Sequence, residues 1–193
     1  MRCIVIANKK GGVGKTTTTQ NLAAALAAHG KKVLAVDMDA QANLTRAWGV
    51  GNTEKSILDV LRGKATWQEV SLPVEKGSGA GCVVLAPASR QLAAMPEVFA
   101  QELGKELLLK EAVEKVEKAF DLVLIDSPPS LDLLAINTYA AADAVLIPVQ
   151  TEFHSLEGLT LMQDDLERVR RRLNPHLAVL GIVHNFVDRR KRL

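Results

Sequence analysis

A glycine-rich loop between an apolar segment and an alanine-rich helix constrains this chain more than any other feature. The loop, residues 10–17, has the sequence Lys-Gly-Gly-Val-Gly-Lys-Thr-Thr. Residues 2–7 before it are rich in β-branched side chains and predict a buried strand, whereas residues 16–29 predict a helix that ends at Gly30. Residues 32–37 predict a second strand, so the chain opens with a β–α–β unit whose strands run parallel.

Short apolar segments recur along the rest of the chain. Strands are predicted over residues 83–86, 122–126, 144–149 and 177–183, and helices over residues 97–119 and 159–173, with a short helix that begins at Ser56. Near-continuous apolar strands that alternate with helices are typical of a parallel sheet with both faces covered. We therefore predict an α/β fold with a mostly parallel, twisted sheet and helices on both faces.

Composition excludes several classes of protein. The 193 residues are 48% hydrophobic and 24% charged, which is ordinary for a globular protein and excludes a wholly disordered chain. No apolar stretch approaches the roughly 18 residues of a membrane span, and the apolar run before Lys9 is too short for a signal peptide, so we expect a cytoplasmic protein. Cys3 and Cys82 lie in apolar strands without a C-x-x-C motif, which argues against a metal cage or redox pair.

The positive charge of the chain is concentrated near its end. The net charge is only +2, but residues 168–193 hold eight basic side chains and one acidic side chain. Such a segment could contact a polyanion, or it could be a solvated helix face followed by a charged tail. The second interpretation is the simpler one from sequence alone.

The loop has the chemistry of a phosphate-binding site. Successive backbone N–H groups in such a loop wrap a phosphate, and the positive end of the following helix dipole adds to the attraction. Glycines allow a close backbone approach that side chains would block. Lys15 would neutralise the β- and γ-phosphates of a nucleotide, and Thr16 would place its hydroxyl group on Mg²⁺.

Acidic residues follow two of the predicted strands. Asp126 ends the strand over residues 122–126, and a carboxylate there needs a partner, such as Mg²⁺ through a bound water; the alternative is a helix N-cap or turn aspartate. Asp37 and Asp39 lie at the carboxyl end of the strand over residues 32–37, where α/β sheets place their ligands.

These motifs resemble those of the ParA/MinD class of P-loop ATPases, which carry a deviant Walker A loop. A strict P-loop has glycine six positions before its lysine, where this chain has Lys9, and Lys10 directly precedes the glycine pair. Residues 36–43 resemble the second acidic motif of the class, residues 121–130 its Walker B strand, and residues 147–159 the ParA branch specifically. The resemblance extends from residue 1 to about residue 188.

The resemblance implies that the loop binds ATP and Mg²⁺ and that the ATP is hydrolysed to ADP and phosphate. It implies catalytic roles for Lys10, which reaches the phosphates of a partner subunit, for Lys15, and for Asp39, which orients the attacking water. It places Asp37 near the metal with Thr16 and Asp126. The nucleotide contacts are expected at Lys10, Gly11, Gly12, Val13, Gly14, Lys15, Thr16, Thr17 and, for a purine edge, Asn185.

Partners and cellular role are also implied by the resemblance. They are an ATP-dependent homodimer, nonspecific DNA, and a ParB-type protein that stimulates slow hydrolysis, with segregation of a plasmid, chromosome or other cargo on the nucleoid. Because ParA-like proteins usually run on for some tens of residues, we expect one P-loop ATPase domain over residues 1–193 that lacks the usual C-terminal segment. No membrane partner is expected.

Three other functions remain open at this point. A MinD-like positioning ATPase would carry an amphipathic tail, and none is visible over residues 189–193. A nucleotide-gated scaffold or regulator would bind ATP with little turnover. A reductase of the nitrogenase iron-protein type would need paired cysteines at a dimer face to hold a cluster, whereas Cys3 and Cys82 lie in strand-like segments.

Overall fold

The apolar segments form one seven-stranded sheet in a computed structural model of the chain, which describes residues 2–151 and 155–187. The strands lie in the order β3-β4-β2-β5-β1-β6-β7, and every neighbouring pair is parallel except β3 and β4. Their bounds are β1 (Arg2–Ile6), β2 (Lys32–Asp37), β3 (Leu72–Lys76), β4 (Cys82–Ala86), β5 (Leu122–Asp126), β6 (Ala144–Gln150) and β7 (Ala178–Asn185). The predicted fold class is confirmed.

Helices cover both faces of the sheet. One face packs against α1 and α2, which contribute Ala23, Ala27 and Leu44 to its buried cluster, and the opposite face packs against the later helices. The described helices are α1 (Lys15–Ala28), α2 (Asn43–Ala47), α3 (Ile57–Leu61), α4 (Trp67–Val70), α5 (Met95–Val98), α6 (Leu108–Glu114), α7 (Leu133–Ala141) and α8 (Ser155–Arg172). A 3₁₀ turn over Arg90–Ala94 precedes α5.

The central strands bring three chain segments to one edge of the sheet. Strand β5 lies between β1 and β2, and Asp126 at its end is in register with both Ile6 and Asp37. Val5, Leu34 and other side chains of these strands are fully buried, and each contributes about 1.5–3 kcal/mol to folding. The sheet therefore fixes rigidly the end of β1, where the glycine-rich loop begins, beside the acids that end β2 and β5.

The predicted helix over residues 97–119 is wrong for most of its length. Helix α5 ends at Val98, and α6 covers only Leu108–Glu114. Between them Gly104 has φ of 74°, a left-handed conformation that an α-helix does not contain. The predicted apolar spacing holds only locally, where Leu109 and Val113 are buried on one side of α6.

Candidate nucleotide-binding site

The glycine-rich loop joins the end of β1 to the first turn of α1. Gly12 and Gly14 have φ of 74° and 93°, in the left-handed region that side chains disfavour. A Cβ atom at Gly14 would lie 2.6 Å from the side-chain nitrogen of Asn185, so a side chain here would also displace that amide. Because Gly14 is the N-cap of α1, no side chain caps the helix, and its first N–H groups stay available to an anion.

Thr16 and Asp126 lie at the centre of the site. The hydroxyl group of Thr16 donates a hydrogen bond of 2.6 Å to Oδ2 of Asp126, which is only 1% exposed. Oδ1 of Asp126 is buried and has no hydrogen-bond partner among the residues that the structure describes. Burial raises the pKa of Asp126 to about 7; the Thr16 hydroxyl opposes this rise, and the charge of Asp37 adds to it.

This arrangement fits a divalent cation. A buried carboxylate with one unpartnered oxygen beside a hydroxyl group offers the hard oxygen ligands that Mg²⁺ prefers. Magnesium is usually held by one or two carboxylates together with substrate phosphates and waters, so the site does not need a larger acidic cluster. Thr16 and Asp126 are the side chains that would hold it.

Lys15 is buried at the first residue of α1. Its Nζ lies 3.5 Å from the carbonyl oxygen of Lys10, a long contact that leaves most of its donor capacity for other groups. Burial lowers the pKa of Lys15, and the charges of Asp126 and Asp39 partly oppose this. A buried ammonium group beside a loop of backbone N–H groups is suited to a negatively charged ligand.

Asp37 is engaged within the protein. Its Oδ2 accepts hydrogen bonds from the backbone N–H (2.8 Å) and the hydroxyl group (2.7 Å) of Thr45, and its Oδ1 accepts one from the N–H of Asp39 (3.1 Å). Burial raises the pKa of Asp37 to about 6, against the effect of these bonds. The metal-binding role of Asp37 stays a prediction, and the contacts are those of a residue that supports the loop over residues 38–45.

Asp39 faces the turn that follows β5. Its Oδ1 accepts a hydrogen bond of 2.9 Å from the N–H of Gln41. With Pro128, Pro129 and Ser130 it lines a cavity of about 280 Å³. The structure thus brings the proline turn close to Asp39, and the catalytic role of Asp39 stays a prediction.

A second cavity, of about 510 Å³, lies on the other side of the loop. It is formed by residues of α1 and by the end of β7, and it is lined by Gly14, Thr17, Thr18, Asn21, Leu22, Val183, Asn185 and Phe186. The side chain of Asn185 donates a hydrogen bond of 2.8 Å to the carbonyl oxygen of Val13. Asn185 therefore lies at the loop as predicted, and its contact with a purine stays a prediction.

Strand β6 supports the loop from the same side. Nδ2 of Asn8 donates to the carbonyl oxygen of Pro148 (2.7 Å), and Nε2 of Gln150 donates to that of Gly12 (3.0 Å). Oδ1 of Asn8 accepts from the N–H of Lys10 (2.9 Å), which fixes the backbone at the residue expected to reach a partner. Neither Asn8 nor Thr45 of the adjoining site carries a sequence signal, because the partners of such hydrogen bonds follow no periodic pattern.

The two cysteines are not placed as the pair that an iron–sulfur reductase would need. Cys3 is buried within β1 and Cys82 is half-buried at the start of β4, two strands that do not neighbour each other in the sheet. Within residues 2–151 and 155–187, no cluster of histidine, cysteine and acidic residues could hold a metal or iron–sulfur centre by itself. In the same residues, no helix has both the length and the apolar character needed to cross a bilayer. The basic residues over 189–192 lie outside the described part.

Comparison with known proteins identifies the family. A family model described as an AAA domain matches residues 1–179. The chromosome partitioning protein ParA of Caulobacter vibrioides is 42% identical over an alignment that spans all of this chain and 72% of that protein. The sporulation initiation inhibitor protein Soj of Bacillus subtilis is 39% identical, over all of this chain and 75% of its own length.

Solved structures share the fold over nearly the whole chain. Cobyrinic acid a,c-diamide synthase from Mycobacterium smegmatis with bound ADP and magnesium has a TM-score of 0.92 and 34% identity, over 99% of this chain and 77% of that protein. A plasmid partition protein from Borrelia burgdorferi has a TM-score of 0.81 and 28% identity, over 98% and 80%. The chain belongs to the ParA/Soj family of P-loop ATPases, because it has the deviant loop, the acids at the strand ends and these similarities.

Proposed function

We propose that this chain binds ATP with Mg²⁺ and hydrolyses it to ADP and phosphate. The observation that carries the proposal is the buried carboxylate of Asp126, which has one unpartnered oxygen and accepts a hydrogen bond from Thr16 beside the loop. A carboxylate kept in this state without a cation is unfavourable, because burial disfavours its charge. The mycobacterial structural neighbour, solved with bound ADP and magnesium, supports the same ligands here.

Different groups at the site would bind different parts of the nucleotide. Backbone N–H groups between Gly11 and Thr17 would surround the phosphates, while Lys15 neutralises their charge. Thr16 and Asp126 would hold Mg²⁺, which supplies charge stabilisation on the oxygens of the phosphoryl group. The cavity beside Asn185 has room for the base and the sugar of the nucleotide.

Hydrolysis would depend on two residues at opposite sides of the phosphates. Asp39 is half-buried and faces the turn at Pro128, and it would orient an attacking water. Lys10 would reach the phosphates of a second subunit and stabilise the charge that develops there, which makes ATP the link of a homodimer. The turn at Pro128 would be ordered by the triphosphate and released after hydrolysis.

Helix α8 offers a surface for nonspecific DNA. Arg168, Arg171 and Arg172 are exposed near its end and line a common cavity of about 640 Å³. Arg170 does not join this exposed cluster, because its Nε donates a 2.7 Å hydrogen bond to the carbonyl oxygen of Leu177. A cluster of exposed guanidinium groups is suited to backbone phosphates, whose binding weakens steeply with salt.

The cellular function would be partition. Relatives near 40% identity over the whole chain include chromosome-partitioning proteins, and a structural neighbour is a plasmid partition protein. We propose a cytoplasmic, nucleoid-associated ATPase that dimerises on ATP, holds DNA and is reset when a ParB-type partner stimulates hydrolysis. Chromosome, plasmid or another large cargo would be moved by this cycle.

Size-exclusion chromatography with light scattering tests the proposal. Wild type, Asp39→Ala and Lys15→Ala are each run with ATP–Mg²⁺, with ADP–Mg²⁺ and without nucleotide. We expect ATP to produce a dimer in wild type, a longer-lived dimer in Asp39→Ala because hydrolysis is blocked, and none in Lys15→Ala. A dimer equally populated with ADP, or in Lys15→Ala, would contradict ATP as the link between subunits.

A further inference from the structure

An ion pair connects the glycine-rich loop to helix α8. Lys9, which stands where a strict P-loop has glycine, contacts the carboxylate of Asp165 on α8 through its ammonium group. The two residues are 156 positions apart in sequence, so the pair forms only when loop and helix are both in place. Nothing in the binding scheme above uses either residue.

The two side chains differ in their access to water. The side chain of Asp165 is 6% exposed, whereas that of Lys9 is 34% exposed. Asp165 also lies near Tyr139 of α7: burial first, and then the charge of Asp165, raises the pKa of Tyr139. Asp165 is thus a carboxylate held in a largely apolar setting, and Lys9 is the cation that compensates it.

Lys9 adds a charged contact to two neutral ones. Asn8 donates a hydrogen bond to Pro148, and Gly12 accepts one from Gln150, so β6 holds the loop on both sides of Lys9. The pair with Asp165 extends this support from the sheet to α8. Movement at Lys9 would pass directly to Lys10, whose N–H is held by Asn8 and whose carbonyl oxygen accepts from Lys15.

We propose that Lys9 and Asp165 are positioning residues that hold the first half of the loop, and Lys10 with it, in the conformation that accepts a nucleotide. The proposal deepens the proposed function and rests on it for the identity of the nucleotide. It also links the loop to the helix that carries Arg168, Arg171 and Arg172, because α8 cannot shift without straining the pair.

A double-mutant cycle tests the pair in the full chain. The variants are Lys9→Gln, Asp165→Asn and the two combined. Asp164→Asn, an exposed acid on the same helix, and Lys64→Gln, an exposed lysine, are the controls. Lys9→Gln leaves the charge of Asp165 buried without its cation and should lower the Tm by about 5–10 °C. Asp165→Asn leaves Lys9 able to turn into water and should lower the Tm by less. The double variant should melt above Lys9→Gln.

Two further measurements separate positioning from a purely structural role. Hydrogen exchange is measured on the nucleotide-free protein at a temperature below the Tm of every variant. Amides of residues 8–14 should exchange at least fivefold faster in both single variants and at the wild-type rate in the controls. The Kd for a fluorescent ATP analogue with Mg²⁺ should rise about tenfold in the same two variants.

The outcomes are distinguishable. A lower Tm with loop exchange and nucleotide affinity like those of wild type would overturn the positioning role and leave Lys9–Asp165 as a structural contact. Additive effects in the double variant would show that the two residues do not act together, and would also overturn it. If wild type does not bind the analogue, the proposed function fails, while hydrogen exchange without nucleotide still decides whether the pair positions the loop.

Discussion

Replacing Asp126 by asparagine should stabilise the nucleotide-free protein while removing its magnesium site. In the folded chain the pKa of Asp126 is raised from 3.8 to about 7, mainly by burial. Between these two values the folded state holds a proton on Asp126 that the unfolded state has released. The stabilisation that protonated Asp126 contributes is therefore complete below about pH 4. That contribution is lost as the pH rises through 7, where the buried carboxylate ionises.

The size of the effect follows from the pKa difference. A difference of one in pKa corresponds to about 1.4 kcal/mol, so ionised Asp126 costs the fold at most about 4 kcal/mol above pH 7. Asparagine removes this charge and can still accept the hydrogen bond from Thr16. Its amide nitrogen would lie where Oδ1 has no partner, which costs about 1–3 kcal/mol. The net gain at pH 8 is about 1–3 kcal/mol, or about 2–10 °C in Tm.

Thermal unfolding followed by circular dichroism, in EDTA and without nucleotide, measures this difference in Tm between pH 5 and pH 9. Asp126→Asn should melt above wild type at pH 8, and the advantage should vanish or reverse at pH 5, where Asp126 is protonated. Asp37, whose pKa is raised to about 6, titrates in both proteins; because its charge is coupled to that of Asp126, the difference between the proteins reports Asp126 together with its effect on Asp37. Asp164→Asn should follow wild type throughout. A variant less stable than wild type at every pH would refute the reasoning.

Three further predictions concern the loop and α8. Lys10→Ala should keep ATP binding but lose most phosphate release at saturating ATP, and undiminished turnover would remove its catalytic role. A Cβ built at Gly12 meets nothing within 4 Å apart from its chain neighbours, but φ of 74° strains any side chain there, so a Gly12→Val variant that still binds ATP yet fails to dimerise, measured by light scattering, would report contact with a partner; unchanged dimerisation would contradict it. Triple replacement of Arg168, Arg171 and Arg172 by alanine should reduce the slope of log affinity for DNA against log salt by about 2.7 per chain, and an unchanged slope would exclude this surface.

The loop and its surroundings were predictable because their signals are local. Glycines at fixed positions, a lysine and threonine after them and apolar segments on both sides specify strand, loop and helix within about 30 residues. The acids at the ends of β2 and β5 were predictable for the same reason, since parallel strands bring their carboxyl ends to one edge. The sequence did not specify the strand order, which places β5 between β1 and β2.

The segment between β4 and β6 shows where local patterns mislead. An apolar spacing continues from Leu109 beyond the end of α6, yet residues 115–119 form turns. Conversely, α7 was not predicted, although Asp132 caps it by accepting hydrogen bonds from the N–H groups of Leu134 and Ala135. The cap precedes an apolar stretch, which is a recognisable start signal of a helix.

Contacts between distant segments could not be inferred at all. The hydrogen bond from Asn8 to Pro148 and the ion pair between Lys9 and Asp165 join residues whose proximity depends on the complete sheet. Burial by the surrounding fold also has no local sequence signal, yet it is the main cause of the raised pKa of Asp37 and Asp126. Residue types were sufficient to predict the ligands, but not the protonation behaviour.

Calorimetric titration of ATP into the chain, with Mg²⁺ and with EDTA, tests the central claim most directly. Wild type should bind one ATP per chain with Mg²⁺ and far more weakly in EDTA. Asp126→Asn should lose this dependence on the metal, and Lys15→Ala should lose binding altogether. Absence of binding in wild type, or binding that neither the metal nor these substitutions change, would contradict the assignment of the loop and Asp126 as an ATP–magnesium site.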